Sequence, residues 1–257
     1  MKIITLNLNG IRSAHSKGAF DWLREQNAEI ILLQEVRALE HQLPDLQLPG
    51  YHTFWNPAEK PGYSGVGVLS KLEPKKVVHG IGSSEFDGEG RTLRLDFADF
   101  SAMSVYVPSG SSSENRQAAK MRFLADFHTH LTGLKKKREL IVGGDFNIAH
   151  QKIDLKNWQS NQKSPGFLPE DRAWVDGLLE LGFKDSFRDH VGPDAAIYSW
   201  WSNRGGARGN NVGWRLDYQF STPKIAARVS SASIYREAFF SDHAPVILDY
   251  SLEYGLD

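Results

Sequence analysis

The sequence predicts an α/β fold in which two β-sheets stack face to face with helices on their outer sides. That expectation rests on three features. Short apolar runs rich in β-branched and aliphatic residues recur at 2–7, 29–33, 65–69, 103–107, 140–142 and 246–250, as buried strands do. Between them lie stretches with apolar residues at helical spacing, at 18–27, 114–134 and 169–181. The strand pattern runs through both halves of the chain with no linker, and halves that each supply strands and a helix stack as two sheets with helices outside. One domain over residues 1–257 is therefore expected.

Bulk properties exclude several classes. The chain is 40% hydrophobic and 24% charged, ordinary for a globular protein with a large core. It has no cysteine, which excludes disulfides, thiolate chemistry and zinc-thiolate sites. The first residues read as a strand rather than a secretory leader, and no apolar run approaches the roughly 18 residues of a membrane span; a cytoplasmic protein is the default. The formal net charge of -1 gives no global signal for nucleic acid. The charge is uneven, however. Residues 201–216 carry Arg204, Arg208 and Arg215 and no acid, and residues 151–166 carry Lys152, Lys156 and Lys163 against Asp154. Residues 85–99 are acidic. Basic loops on a neutral body suit a protein that meets a polyanion with one face.

Taken in order, the first strand ends in Asn7-Leu8-Asn9-Gly10, and Phe20, Trp22 and Leu23 mark a short amphipathic helix over 18–27. The second apolar run ends in Gln34-Glu35, and a carboxylate there is unusual unless a positive charge meets it; Arg37 is one such partner. Residues 44–63 are Pro-rich and read as irregular. Residues 91–97 alternate apolar and polar, as in a half-buried strand. The run at 103–107 is stopped by Pro108-Ser109-Gly110. Phe123, Phe127, Leu131 and Leu134 set a helix over 114–134, and its basic exit, Lys135-Lys136-Lys137-Arg138, suits the negative end of a helix.

The strand at 140–142 leads into Gly143-Gly144-Asp145-Phe146-Asn147, where the glycines are expected to let the chain turn. With the chain extended beyond them, Asp145 and Asn147 leave from the same side. Pro169-Glu170-Asp171 opens a helix that turns Trp174, Leu178 and Leu181 inward and stops at Gly182. Residues 214–220 alternate so that Asp217 faces away from Trp214, Leu216 and Tyr218, and Asp242-His243 precedes the last strand.

Most strand ends thus present a polar group: Asn7 and Asn9, Glu35, Tyr106, Asp145 and Asn147, Asp217, Asp242 and His243. Converging, they bring four carboxylates and one imidazole together. So many acids repel unless a cation is present, and an oxygen-rich set without cysteine suits Mg²⁺ or Mn²⁺ rather than zinc. His243 beside a carboxylate can keep its proton and donate it, or act as a general base.

These residues stand in motifs that resemble the exonuclease III family of apurinic/apyrimidinic (AP) endonucleases, within the DNase I-like endonuclease/exonuclease/phosphatase fold. The motifs are Asn7-Leu8-Asn9-Gly10-Ile11-Arg12, Leu33-Gln34-Glu35, Tyr63-Ser64-Gly65-Val66-Gly67, Val105-Tyr106-Val107-Pro108, Gly144-Asp145-Phe146-Asn147-Ile148-Ala149-His150, Gly213-Trp214-Arg215-Leu216-Asp217-Tyr218 and Ser241-Asp242-His243-Ala244-Pro245. The resemblance runs nearly end to end. It implies a four-layer αββα sandwich and Mg²⁺-dependent cleavage of DNA 5′ to an abasic site, Mn²⁺ substituting. It implies that Glu35 holds the metal with Asn7 and Asn9 nearby, and that Asp242 serves a second metal position.

By the same resemblance, Asp145 aligns or deprotonates the attacking water, and Asn147 holds that water and the developing charge. His243, oriented by Asp217, donates to the scissile phosphate, and Tyr106 lends its hydroxyl. Arg12, Ser109, Arg116, Asn161 and Lys163 touch the DNA, while Trp200 and Trp214 wall a pocket for the flipped-out abasic sugar. The implied substrate is double-stranded DNA with abasic sites or blocked 3′ ends, met by a monomer. Two positions depart from the family pattern: Arg37 stands where many members carry Lys, and Ser164-Pro165 replaces an Asn-Ala or Asn-Ser pair.

Overall fold

A computed structural model describes residues 1–43, 48–237 and 239–252. Two six-stranded sheets stack in it. The first comprises β1 (Lys2–Asn7), β2 (Ile30–Gln34), β3 (His52–Asn56), β4 (Val66–Ser70), β13 (Val229–Ile234) and β14 (Val246–Tyr250), in the order β13-β14-β1-β2-β4-β3. The second comprises β5 (Lys76–His79), β6 (Thr92–Asp96), β7 (Phe100–Tyr106), β8 (Glu139–Asp145), β9 (Lys184–Asp185) and β12 (Asp217–Ser221), in the order β5-β6-β7-β8-β12-β9. In each sheet one central pair is parallel, β1 with β2 and β7 with β8, and the other neighbours are antiparallel. A two-residue ribbon of β10 (Trp200–Trp201) and β11 (Gly213–Trp214) stands apart.

Side-chain alternation along the strands makes the layers. Ile4 and Leu6 of β1 and Ile31 and Leu33 of β2 face outward onto α1 (Ile11–Ser16) and α2 (Ala19–Gln26), where Phe20, Trp22 and Leu23 cover them. Ile3, Ile30 and Leu32 face the other way and meet Leu93, Leu95 and Ile141 between the sheets. On the far side, Met103, Val105, Leu140, Val142, Tyr218 and Phe220 face α3 (Glu114–Lys135) and α4 (Pro169–Glu180) through Phe123, Phe127, Leu131, Val175 and Leu178. Each such buried Leu, Ile or Phe contributes roughly 1.5–3 kcal/mol of transfer free energy. The order is helix, sheet, sheet, helix, the four-layer sandwich the motifs imply.

Several expectations change. Gly143 and Gly144 do not turn the chain, because β8 runs through them to Asp145. A Cβ on Gly144 would lie 1.9 Å from the carbonyl oxygen of Val105, and one on Gly143 would lie 2.5 Å from Leu32 Cδ1. The glycines permit close approach of β7 and of the opposite sheet. The 91–97 strand is not half-buried: all five residues of β6 are buried, because Arg94 and Asp96 neutralise each other at 2.8 Å under Ser101 on the face away from Leu93. The irregular 44–63 segment contains the edge strand β3, paired with β4; residues 44–47 of that segment lie outside the described residues.

The basic exit of α3 serves packing: Lys135 donates to Leu181 O at 2.6 Å, and Arg138 donates to Phe97 O and Phe100 O. Arg215 is no part of a basic surface. It is 1% exposed and ion-paired to Asp154 at 2.8 Å and Asp185 at 2.7 Å, with Arg188 also on Asp154. Two short helices, α5 (Ser186–Val191) and α6 (Pro223–Ala226), complete the fold.

Candidate active site

The parallel pairs aim their C-terminal ends at one edge of the stack, and the antiparallel β12 begins there. Register places Asp217 opposite Asp145 on one side and Tyr106 opposite Asp145 on the other. From the opposite sheet, Asn7 Nδ2 donates to Asp145 Oδ2 at 2.8 Å. The inter-sheet layer is apolar at its base. It turns polar toward this edge through Gln34 and Ser104, which bond to each other at 2.9 Å. The site is therefore the polar mouth of the layer between the sheets.

Beyond the strand ends the chain curls through the left-handed region at Asn9 (φ 45°), Glu35 (φ 49°), Arg37 (φ 51°), Ser64 (φ 44°) and Asn147 (φ 52°). Such a conformation costs about 1–2 kcal/mol for an ordinary residue. Main-chain bonds hold it: Gly10 N–H to Glu35 O at 2.8 Å, Val36 N–H to Gly65 O at 3.0 Å and Arg37 N–H to Ser64 O at 2.8 Å. Asn147 is thus not extended, as two-residue spacing had led us to expect. The turn still brings it to Asp145, whose Oδ1 accepts the Asn147 N–H at 2.8 Å, while Asn147 Nδ2 donates to Val107 O at 2.9 Å.

The acids surround one imidazole. His243 Nδ1 lies 2.9 Å from Asp217 Oδ2, and His243 Nε2 lies 3.7 Å from Asp145 Oδ2. Burial lowers the pKa of His243, but Asp217 and Asp145 outweigh it and raise it to about 10. At neutral pH the ring carries both protons and presents Nε2–H to the cleft. Burial pushes Asp145 up, His243 opposes this, and Asp217 and Glu35 add to it, leaving Asp145 at about 7. A carboxyl poised near neutrality suits proton transfer.

Glu35 is engaged by the Tyr106 hydroxyl on one oxygen and by Arg37 at 2.9 Å on the other. Asp242 accepts Asn9 Nδ2 at 2.9 Å, Trp200 Nε1 at 3.0 Å and Ser241 Oγ at 3.1 Å. Burial alone would raise its pKa, but His243 and these donors lower it. Asp242 therefore braces Trp200. Trp200 and Trp214 pair across the β10–β11 ribbon, edge to face with centroids 6.5 Å apart.

These groups line a cleft of about 470 Å³. Asn9, Glu35, Tyr106, Ser109, Asp145, Asn147, Asn161, Trp200, Trp214, Asp242 and His243 all face it. Asn7 and Asp217 stand one layer behind, bonded to Asp145 and His243. Three expected DNA contacts are not in the lining. Arg12 shares an adjoining cavity with Arg37, Arg116 donates to the Tyr63 hydroxyl, and Lys163 is exposed.

Sequence reasoning missed the residues that hold the site from behind. Ser199, fully buried, donates to Asp217 Oδ2 at 2.6 Å and accepts the Asp217 N–H at 3.1 Å. Arg91 donates to Tyr106 O at 3.0 Å and lies over the Tyr106 ring. Lys120 reaches the Asn147 carbonyl from α3. A lone serine or lysine in an apolar pattern carries no signal of such a partner.

The donor set fits a hard divalent cation. Ligand atoms of Asp145, Asp217 and His243 lie within 4.8 Å of one another. His243 Nδ1 and Asp217 Oδ2 already bond to each other, so that trio reads as a hydrogen-bonded pair beside a carboxylate. Glu35 could also offer its carboxylate to a cation, since the Arg37 side chain now paired with it is 42% exposed. Oxygen donors without thiolate favour Mg²⁺-like ions over zinc.

A two-sheet sandwich with an acid–imidazole cleft at the mouth of its inter-sheet layer brings together the groups that hydrolysis of a phosphate ester needs. The chain belongs to the Endonuclease/Exonuclease/phosphatase family, which matches residues 4–243. It is 43% identical over 250 residues to an exodeoxyribonuclease of Bacillus subtilis, covering 96% of this chain and 98% of the relative. Among solved structures, an AP endonuclease from Archaeoglobus fulgidus superposes with TM-score 0.88 at 28% identity, covering 98% of this chain and 100% of the other. A 3′ phosphatase from Neisseria bound to a product DNA hairpin superposes with TM-score 0.91 at 26% identity, with the same coverage.

Proposed function

We propose that this protein is a Mg²⁺-dependent AP endonuclease of base excision repair. It hydrolyses the phosphodiester 5′ to an abasic site to leave a 3′-OH, and it also trims blocked 3′ ends. The observation that supports this best is the geometry of His243, held by Asp217 and 3.7 Å from Asp145 in a cleft walled by Trp200 and Trp214. An in-line attack on a phosphodiester needs an aligned water and donors for the charged oxygens. Asp145 takes the water's proton and Asn147 holds the water as its oxygen bonds to phosphorus; the P–O3′ bond breaks and the leaving 3′ oxygen takes a proton from solvent, while His243, its ring held by Asp217, hydrogen-bonds a phosphate oxygen through Nε2–H. The Tyr106 hydroxyl lies beside the same phosphate.

Glu35 with Asn7, Asp145 and Asn147 would hold the cation, and Asp242 a second one; when bound, Mg²⁺ or Mn²⁺ neutralises charge on the phosphate. Trp200 and Trp214 leave room for a baseless sugar, while Asn9, Arg12, Ser109, Arg116, Asn161 and Lys163 contact the backbone. Recognition led by the backbone makes binding fall steeply with salt and depend little on sequence. We place the protein in the cytoplasm as a monomer, with residues 1–257 acting as one domain on double-stranded DNA. No helix among the described residues is long and apolar enough to cross a membrane.

The test is a duplex with one abasic analogue, incubated with Mg²⁺ and then with EDTA. A single nick on the 5′ side, abolished by EDTA, supports the proposal. An intact duplex alongside hydrolysis of a soluble phosphoester points instead to a small-molecule phosphatase of the same family.

A further inference from the structure

The turn at Asn147 is held from three sides. The Asn147 N–H and side-chain amide are taken by Asp145 and Val107. Its carbonyl accepts Lys120 Nζ at 3.0 Å. Lys120 and Asp171 are both 0% exposed and pair at 2.9 Å, one from α3 and the other from the first turn of α4. Taking two charges out of water offsets much of their attraction, and replacing such a pair by apolar side chains is often neutral for stability.

Asp171 also accepts the Gly166 N–H at 2.7 Å on its other oxygen. Gly166 (φ 91°) lies so close to Asn147 that a Cβ there would come 2.8 Å from the Asn147 carbonyl oxygen, and Gly166 O accepts the Ala149 N–H at 2.8 Å. Gly166 closes the segment whose Asn161, Ser164 and Pro165 line the cleft. One buried ion pair thus grips both the catalytic turn and the lip of the cleft.

We propose that Lys120, held by Asp171, is the positioning residue for Asn147 and ties it to the cleft lip at 161–166. The ammonium touches no reacting atom. It shares its protons between a carboxylate and a carbonyl, and so sets where the Asn147 amide points. The catalytic consequence rests on the function proposed above.

The test compares the wild type with Lys120→Met/Asp171→Asn, in which both charges are gone and the amide still accepts from Gly166. The expected result is a melting temperature and an abasic-duplex Kd close to wild type, with kcat lower by about 30-fold, in the range that a small misplacement of a reacting group costs. Hydrogen exchange by NMR gives a readout independent of activity. The Asn147 Nδ2 protons exchange at least tenfold faster in the double variant, while the amides of Phe127 and Leu131 in α3 do not change. Lys120→Arg, which keeps a cation beneath the carbonyl, recovers protection at Asn147.

A double variant with wild-type kcat and unchanged exchange at Asn147 overturns the proposal. So does a loss of kcat matched by loss of melting temperature and of α3 protection. If the wild type fails to nick the abasic duplex, the functional reading falls, while the exchange experiment still decides the role of Lys120.

Discussion

His243 Nδ1 sits 2.9 Å from Asp217 Oδ2, and Asp217 in turn receives the Ser199 hydroxyl at 2.6 Å. This line of buried contacts aims the other ring nitrogen at the cleft and keeps it protonated. Asp217→Asn retains the shape and removes the charge. It should lower kcat by about 10²–10⁴-fold, as loss of the anion behind a catalytic imidazole does elsewhere. Single-turnover cleavage with a parallel binding titration checks this, and the Kd for abasic duplex should stay within a few-fold.

Asp145→Asn should act at the chemical step. The amide has the same shape, can accept from only one of Asn7 and the Asn147 N–H, and cannot take a proton from water. A general base is worth about 10²–10⁴-fold, so cleavage should slow by that much with DNA binding kept. A variant that cleaves at the wild-type rate would remove Asp145 from the mechanism.

With Glu35 as a cation ligand, as proposed, Arg37 would compete with the ion for its carboxylate. Its guanidinium lies 2.9 Å from the carboxylate and is 42% exposed, so solvent screens the pair. Arg37→Gln should tighten Mn²⁺ binding to the DNA-free protein by about 2–5-fold, the scale of a half-exposed ion pair. Titration followed by electron paramagnetic resonance measures this directly. The same substitution removes a positive charge from the cleft, so affinity for duplex DNA should fall.

Acid stability should depend on Asp154. Burial works against its charge, but Arg215 and Arg188 hold the carboxyl at about 2, below its ordinary 3.8. A depressed folded pKa means the stabilisation is complete above about pH 5 and is lost as pH falls through 3.8 toward 2. The difference corresponds to about 2 kcal/mol. Urea midpoints recorded from pH 7 down to pH 2 should therefore fall more steeply through this window for the wild type than for Asp154→Asn. The variant should be less stable at pH 7, because Arg215 keeps only Asp185.

Much of this was legible in the chain. Apolar runs marked β1, β2, β4, β7, β8 and β14 because strands that pack against other layers are made mostly of apolar residues. The spacing of Phe123, Phe127 and Leu131 marked α3 because a helix buries one stripe. Polar groups placed at the ends of such runs pointed to the cleft, since a carboxylate beside an apolar strand needs a cation or donors to meet it.

What only the tertiary structure decided is which distant residues answer one another. Asp154 pairs with Arg215, Lys120 with Asp171 and Ser199 with Asp217 across separations that no local period encodes. The same holds for Gly143 and Gly144, which look like a turn until the opposing sheet and β7 occupy the space of their missing side chains. Periodicity records how much of a residue is buried. Charge pairing and close approach depend on what it is buried against, and that is settled only when the sheets stack.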